Sequence, residues 1–268
     1  MNYYNEIKEK LINNEGYERV KDYSKERNRV ITYFEIGKLL NEAGSKYGES
    51  VIKEYSKKLT VEVGKKYNER TLYGMRKFYK VFNDAKLNPL GSKLSWSHYR
   101  ELLVVKDVNE IKYYINICCK NNLSKRELHE KIKNKEYERL PKDTKDKLIN
   151  NEAIKLVDYV KEPILIKNSS NYEVITEKIL QKLILEDIPS FLKELGDGFT
   201  FIDNEYKIKL GTHYNYIDLL LYNIKFKCYV IIELKVTELK KEHIGQLETY
   251  MNYIDKNLKT IEEDKTIG

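Results

Sequence analysis

Asp218 stands inside an otherwise apolar run, Tyr216-Ile217-Asp218-Leu219-Leu220-Leu221-Tyr222. A second run, Cys228-Tyr229-Val230-Ile231-Ile232, leads directly into Glu233-Leu234-Lys235. A carboxylate among strand-forming apolar residues is costly unless it is paired or binds a cation. Side chains alternate along a strand, so Glu233 and Lys235 project from one face and Leu234 from the other. If the two runs pair as a hairpin, Asp218 comes beside Glu233, although the sequence alone leaves the register open. Two carboxylates held together repel each other. A divalent cation such as Mg2+ (or Mn2+) relieves that repulsion, and Mg2+ takes only one or two protein carboxylates with waters and phosphate completing its shell. The adjacent lysine can orient or deprotonate a water, or take up charge on a phosphate. Asp, Glu and Lys together are the minimum for hydrolysing a phosphodiester.

A bare Glu-x-Lys carries no information in this chain. The same spacing occurs in Glu6-Ile7-Lys8, Glu205-Tyr206-Lys207, Glu238-Leu239-Lys240 and Glu263-Asp264-Lys265. Glu233 differs by its position, at the end of an apolar strand that follows a strand bearing an enclosed Asp. The competing reading is an ion pair at a sheet edge. Histidine and cysteine offer no alternative metal site: His98, His129, His213 and His243 are scattered, and Cys118, Cys119 and Cys228 lack zinc spacing. Small buried thiols in a reducing compartment account for the cysteines.

The elements that must position the trio are legible in the pattern. Tyr172 to Leu195 reads as a helix, with apolar Ile175, Ile179, Leu183 and Ile184 ahead of Pro189, and Gly196-Asp197-Gly198 ends it. Strand-like runs follow at Phe199–Leu210 (broken near Asp203-Asn204), His213–Tyr222 and Lys227–Lys235, then a helix from Lys240 to Asp255. Helix, three strands and helix predict an α/β or α+β domain around a small sheet. Thr266-Ile267-Gly268 reads as the start of another strand.

Residues 1–140 read as helices. Apolar residues recur at helical spacing in Ile31, Phe34, Ile36, Leu39 and Leu40, and in Leu72, Met75, Phe78, Tyr79 and Phe82. Asn68 and Ser124-Lys125-Arg126-Glu127 supply helix-start signals. Gly64 separates a Val51–Val63 pattern from Glu69–Phe82, a helix-turn-helix arrangement that puts Arg70, Arg76, Lys77 and Lys80 on its second helix. Arg76 and Lys80, one turn apart, are expected to face a phosphate backbone together. Ser95-Trp96-Ser97-His98-Tyr99-Arg100 is a second candidate surface, against the preferred reading of Trp96 as a core anchor. The polar stretch 141–170, with Pro141 and Pro163, is expected to link the two halves.

Charge is divided unevenly between those halves. Residues 1–150 hold 33 Lys and Arg against 22 Asp and Glu, a net of +11, whereas residues 151–268 hold 16 against 20, a net of −4. A basic half points to a polyanion such as DNA, and a lysine-rich solvated surface is the plainer explanation. The apolar fraction of 41% excludes wholesale disorder. No run approaches the ~20 apolar residues that cross a bilayer, and no signal peptide is visible at the N-terminus. No membrane association is therefore expected, and the cytoplasm is the default location.

The combined motifs resemble the YhcG-like (DUF1016) family. The resemblance rests on the Asp218 strand, Glu233-Leu234-Lys235-Val236-Thr237, Gly245-Gln246-Leu247, Tyr250-Met251-Asn252-Tyr253 and the preceding Phe191–Phe199 segment. In the N-terminal half it rests on Ile36-Gly37-Lys38-Leu39-Leu40, the Arg70–Phe82 helix and Leu94–Tyr99. It implies a winged-helix-type N-terminal domain before a PD-(D/E)XK nuclease domain, a restriction-endonuclease-like mixed sheet flanked by helices over residues 171–268. Asp218 and Glu233 become the metal-binding carboxylates by that resemblance, Lys235 the catalytic lysine, and Gln246 a supporting polar residue that Tyr250 extends. A first-helix carboxylate often completes such a site, with Glu177 ahead of Glu186 as the candidate. The family pattern continues past Gly268, so the domain is expected to be truncated there. A metal-dependent DNA endonuclease is the leading expectation, against a non-catalytic binding or interaction module on an inactive nuclease fold. Helix-mediated homodimer assembly is a further expectation.

Overall fold

The computed structural model describes residues 2–19, 25–83, 87 and 94–268. The chain forms two compact units, Met1–Glu138 and Arg139–Gly268.

The first unit is helical: α1 (Tyr3–Arg19), α2 (Lys25–Tyr47), α3 (Ser50–Glu62), α4 (Glu69–Phe82), α5 (Trp96–Leu102), α6 (Val108–Asn121) and α7 (Lys125–Lys133). The expected start signals operate. Asn68 Oδ1 accepts the Thr71 N–H at 3.1 Å, and Ser124 and Glu127 form a reciprocal capping box at the head of α7. The periodic residues Ile36, Leu39 and Leu40 of α2 and Leu72, Met75 and Phe78 of α4 are buried. Gly37 lets those two helices touch, because a Cβ there would overlap the Met75 carbonyl. Trp96 is a core anchor, edge-on to Tyr33 at 5.1 Å and to Phe78 at 5.3 Å between ring centroids. Among the described residues of this unit no strand forms.

The second unit opens with α8 (Lys142–Asn150) and a 3-10 turn, Leu156–Tyr159. The stretch 141–170, expected as a linker, is thus partly structured. Thr144 Oγ1 donates to the Asp158 carbonyl at 3.0 Å, and Lys147 Nζ lies 2.7 Å from Asp158 Oδ1. Arg139 pairs with Glu194, which also receives Lys161 at 3.8 Å.

Next come α9 (Glu177–Glu186) and α10 (Ile188–Leu195) where one continuous helix is expected. The break has a local cause. Asp187 leaves the helical conformation and its carboxylate accepts the Ser190 N–H at 3.1 Å, while Pro189, which has no N–H to give, fills the first turn of α10.

The sheet is β1 (Phe199–Leu210), β2 (His213–Asn223) and β3 (Cys228–Ile232) in the order β1-β2-β3, all antiparallel. An irregularity between Phe201 and Asp203 marks the expected break in β1. The Thr266–Gly268 segment does add strand pairing. Ile267 forms an isolated parallel bridge to Val230, with the Ile231 N–H donating to Ile267 O at 2.8 Å. From Ile217 to Leu221, β2 is covered on both sides: Leu219 and Leu221 pack with Ile184, Phe191 and Leu195, whereas Ile217 and Leu220 pack with Tyr250 and Ile254 of α11 (Lys241–Asn257). That double burial leaves Asp218, the polar residue of this stretch, to find its partners where the β2–β3 ladder ends.

Candidate active site

The β2–β3 ladder reaches its last pair at Leu219↔Ile232. One residue further, side chains replace the ladder. Asp218 Oδ2 accepts the Leu234 N–H at 2.8 Å, and the Asp218 N–H donates to Glu233 Oε1 at 3.4 Å. Each carboxylate therefore satisfies a backbone amide released by the end of the strand, and the two acids are drawn together as the sequence pattern anticipated.

Lys235 closes the group. Its ammonium donates to the Leu234 carbonyl at 3.0 Å and lies 3.8 Å from Glu233 Oε2 and 3.5 Å from Glu177 Oε2. Glu233 and Lys235 are mostly enclosed, with side chains 10% and 18% exposed. Burial pushes the Glu233 carboxyl up to about 7, and the Asp218 charge adds to the effect. The Asp218 N–H and Lys235 offset it only in part.

One face of α9 completes the surroundings. Glu177 and Gln181 are one turn apart. The Gln181 amide donates to the Asp218 carbonyl at 3.3 Å, a contact sequence reasoning missed. Glutamine at that spacing from Glu177 was the available signal, but only the packing of α9 on β2 reveals its partner. Glu186 turns elsewhere, 3.9 Å from Lys182 and 3.5 Å from Ser170 Oγ. Among the described residues no three His, Cys, Asp or Glu side chains converge closely enough to hold a metal by themselves. Glu177 is the ion-pair partner of Lys235 at this site. The Asp218–Glu233 pair is the donor set that fits a hard divalent cation, because both donors are carboxylates and Lys235 and the Asp218 N–H relieve their crowding only in part.

Residues 157–268 match the family model described as the YhcG PDDEXK nuclease domain, and residues 9–139 match the DUF1016 N-terminal domain. The chain belongs to the YhcG-like (DUF1016) family. A relative, the "Putative nuclease YhcG" of Escherichia coli (strain K12), is 25% identical over 279 residues, covering 88% of this chain and 74% of its own. No solved structure matches. The strand-and-lysine group described above therefore lies within a PD-(D/E)XK nuclease domain, and the family points to a nucleic-acid substrate. No described helix is long and apolar enough to cross a membrane.

The remaining residues singled out by the YhcG-like pattern are placed less simply. Gln246 lies on α11, but its amide donates to the Tyr250 hydroxyl at 2.7 Å and not to Asp218, Glu233 or Lys235. Tyr250 is buried in the core under the sheet. On α4 of the N-terminal unit, Arg70, Lys77 and Lys80 are exposed and make no ion pair among the described residues. Arg76 is the exception and corrects the expectation that it faces phosphate with Lys80. Its side chain is buried and its guanidinium is bound by the Glu49 carboxylate, 2.8 Å from Nη2 to Oε1. The outward stripe is instead Arg70, Tyr73, Lys77 and Lys80, at helical spacings of three, four and three residues.

Proposed function

We propose that this chain is a metal-dependent DNA endonuclease in which Asp218 and Glu233 hold the cation, Lys235 acts on the phosphate, and the N-terminal helices grip the substrate. The observation that carries this reading is the enclosed pair of carboxylates, with Glu233 raised to about 7, beside a lysine ammonium. When bound, Mg2+ or Mn2+ supplies Lewis-acid charge for a phosphodiester oxygen. The chain's own groups do the rest. Asp218 is held by the Leu234 N–H so that its free oxygen can turn to a cation. Lys235, tethered by Glu177 and the Leu234 carbonyl, keeps a positive charge beside the acids, where a phosphate gains negative charge in the transition state. Gln181 fixes the Asp218 backbone. Gln246 has an indirect part through Tyr250.

Support for the binding half comes from the exposed Arg70, Lys77 and Lys80 and the +11 charge of residues 1–150. DNA is favoured over other anions because a helix presents those cations at a spacing suited to successive phosphates.

The test is cleavage of supercoiled plasmid and of branched DNA with Mg2+ or Mn2+, comparing the native chain with Asp218→Ala and Lys235→Ala. Cutting that needs metal and disappears in both variants is expected. DNA binding without cutting by the native chain would promote the non-catalytic binding module. Light scattering on the same preparation reads whether the chain forms a homodimer.

A further inference from the structure

The β1–β2 hairpin runs well beyond β3. β3 pairs only with Leu219–Asn223, so residues 205–218 form a two-stranded ribbon that begins at Asp218. One face of this ribbon is covered: Ile208 and Ile217 are buried against Tyr250 and Ile254, with Tyr206 and Leu210 alongside. The other face is open and carries a specific combination of side chains. Lys207 pairs across the strands with Tyr216, and Lys209 with Tyr214. Tyr214 and Tyr216 are 57% and 53% exposed.

The two lysines have no carboxylate partner among the described residues. Their ammonium groups lie 3.9 Å (Lys207) and 5.9 Å (Lys209) from the Tyr214 ring centroid. Cation–π contact holds them over the aromatic surface without neutralising them. Acidic residues lie on the same strand only towards the active site, at Asp203 and Glu205, so the free half of the ribbon is basic and aromatic and its root is acidic. Tyr216 precedes Asp218 by two residues on the same strand, so the tyrosine face ends beside the acid along the chain.

We propose that Lys207, Lys209, Tyr214 and Tyr216 form a track for an unpaired DNA strand leading to the scissile phosphate at Asp218 and Glu233. The proposal rests on the nuclease reading for the position of the cut, but not for the binding itself. Exposed tyrosines stack on base faces, which a duplex keeps hidden between its own bases, and unpaired lysines follow the backbone. A surface that recognised duplex phosphates alone would need the lysines and not the tyrosines. The substrate class is therefore DNA with a single-stranded segment beside the cut, as in a flap, a fork or a branch.

The experiment uses the full chain in EDTA with oligothymidylate carrying bromodeoxyuridine, crosslinked by ultraviolet light and mapped to peptides. Crosslinking to Tyr214 or Tyr216 is expected. In parallel, fluorescence anisotropy compares the single strand with a blunt duplex. Tyr214→Ala and Tyr216→Ala should each weaken single-strand binding by roughly 5-fold to 100-fold, the worth of one stacked base. Binding of the duplex should stay within a factor of about two, and Tyr→Phe should restore single-strand binding. Both tyrosines are exposed, and an unchanged melting temperature confirms that the variants fold. Crosslinks found only in residues 1–138, or equal losses for both probes, overturn the track. Asp218→Asn separates the two ideas, since loss of cutting with retained crosslinking supports both, and retained cutting overturns the catalytic reading alone.

Discussion

Asp218 and Glu233 satisfy the two backbone amides that the end of the β2–β3 ladder would otherwise leave bare. The Asp218 carboxylate takes the Leu234 N–H and the Glu233 carboxylate takes the Asp218 N–H. The arrangement serves structure and chemistry at once. It terminates a strand pairing without burying an unsatisfied donor, and it fixes two acids side by side at a cost that Glu233 shows in its raised pKa.

That cost predicts a stability–function conflict. The Glu233 carboxyl rises from an ordinary 4.5 to about 7 on folding. A raised pKa means that stability is fully present below pH 4.5 and is lost as pH rises through 7. In EDTA at pH 8, Glu233→Gln should therefore be more stable than the native chain, on the order of 2–3 kcal/mol. The difference should vanish in melts taken near pH 4. A variant that is less stable than the native chain at pH 8 contradicts the assignment. Mg2+ should stabilise the native chain and not the variant.

Lys235 is predicted to act on the reaction more than on binding. Lys235→Met should lower the cleavage rate roughly 100- to 1,000-fold, the usual worth of one electrostatic contact to a transition state. Affinity for DNA in EDTA should change little, because residues 1–150 carry the positive excess. Single-turnover kinetics beside anisotropy separates these effects, and a proportional loss of affinity would make Lys235 a binding residue instead.

Within α4, fold and binding should divide by residue. Arg76→Ala removes the partner of Glu49 from a buried position and should lower the melting temperature while leaving the salt dependence of DNA binding intact. Lys77→Gln and Lys80→Gln should do the reverse, each reducing the slope of log K against log salt by about 0.9 if it meets a phosphate. Titrations at several salt concentrations read the difference directly.

Glu194 is predicted to stabilise the second unit. Burial pushes its pKa up, but the Arg139 hydrogen bond, the Lys161 charge and the Leu165 N–H more than offset this, and the net shift is downward. A lowered pKa contributes stability above the unfolded value that is lost as pH falls through the folded one. Glu194→Gln removes the charged acceptor that Arg139 and Lys161 share and should cost about 1.5–3 kcal/mol at pH 7. The penalty should shrink in acid, where native Glu194 also becomes neutral. Urea melts at pH 7 and pH 3 provide the check.

Short-range features of this protein are legible in its residue order. Strand limits followed from alternation and turn residues, so β1 and β2 lie where Phe199–Leu210 and His213–Tyr222 predict them, and the capping residues Asn68 and Ser124 act within their own helices. Glu233 and Lys235 could be named together from strand alternation, which is local, and Asp218 joined them through the apolar strand pattern and the family resemblance. The tertiary structure alone decided which distant groups meet. Arg76 and Lys77 are neighbours with the same charge, yet Arg76 is buried against Glu49 while Lys77 is exposed, because the packing of α2 and α3 on α4 determines its inner face. Glu177 and Glu186 bracket one helix and were both candidates in the sequence, with Glu177 ahead, and the docking of α9 brings Glu177 and Gln181 to the site and leaves Glu186 with Lys182. Such choices depend on contacts between residues far apart in the chain, whose geometry no periodicity within one element encodes.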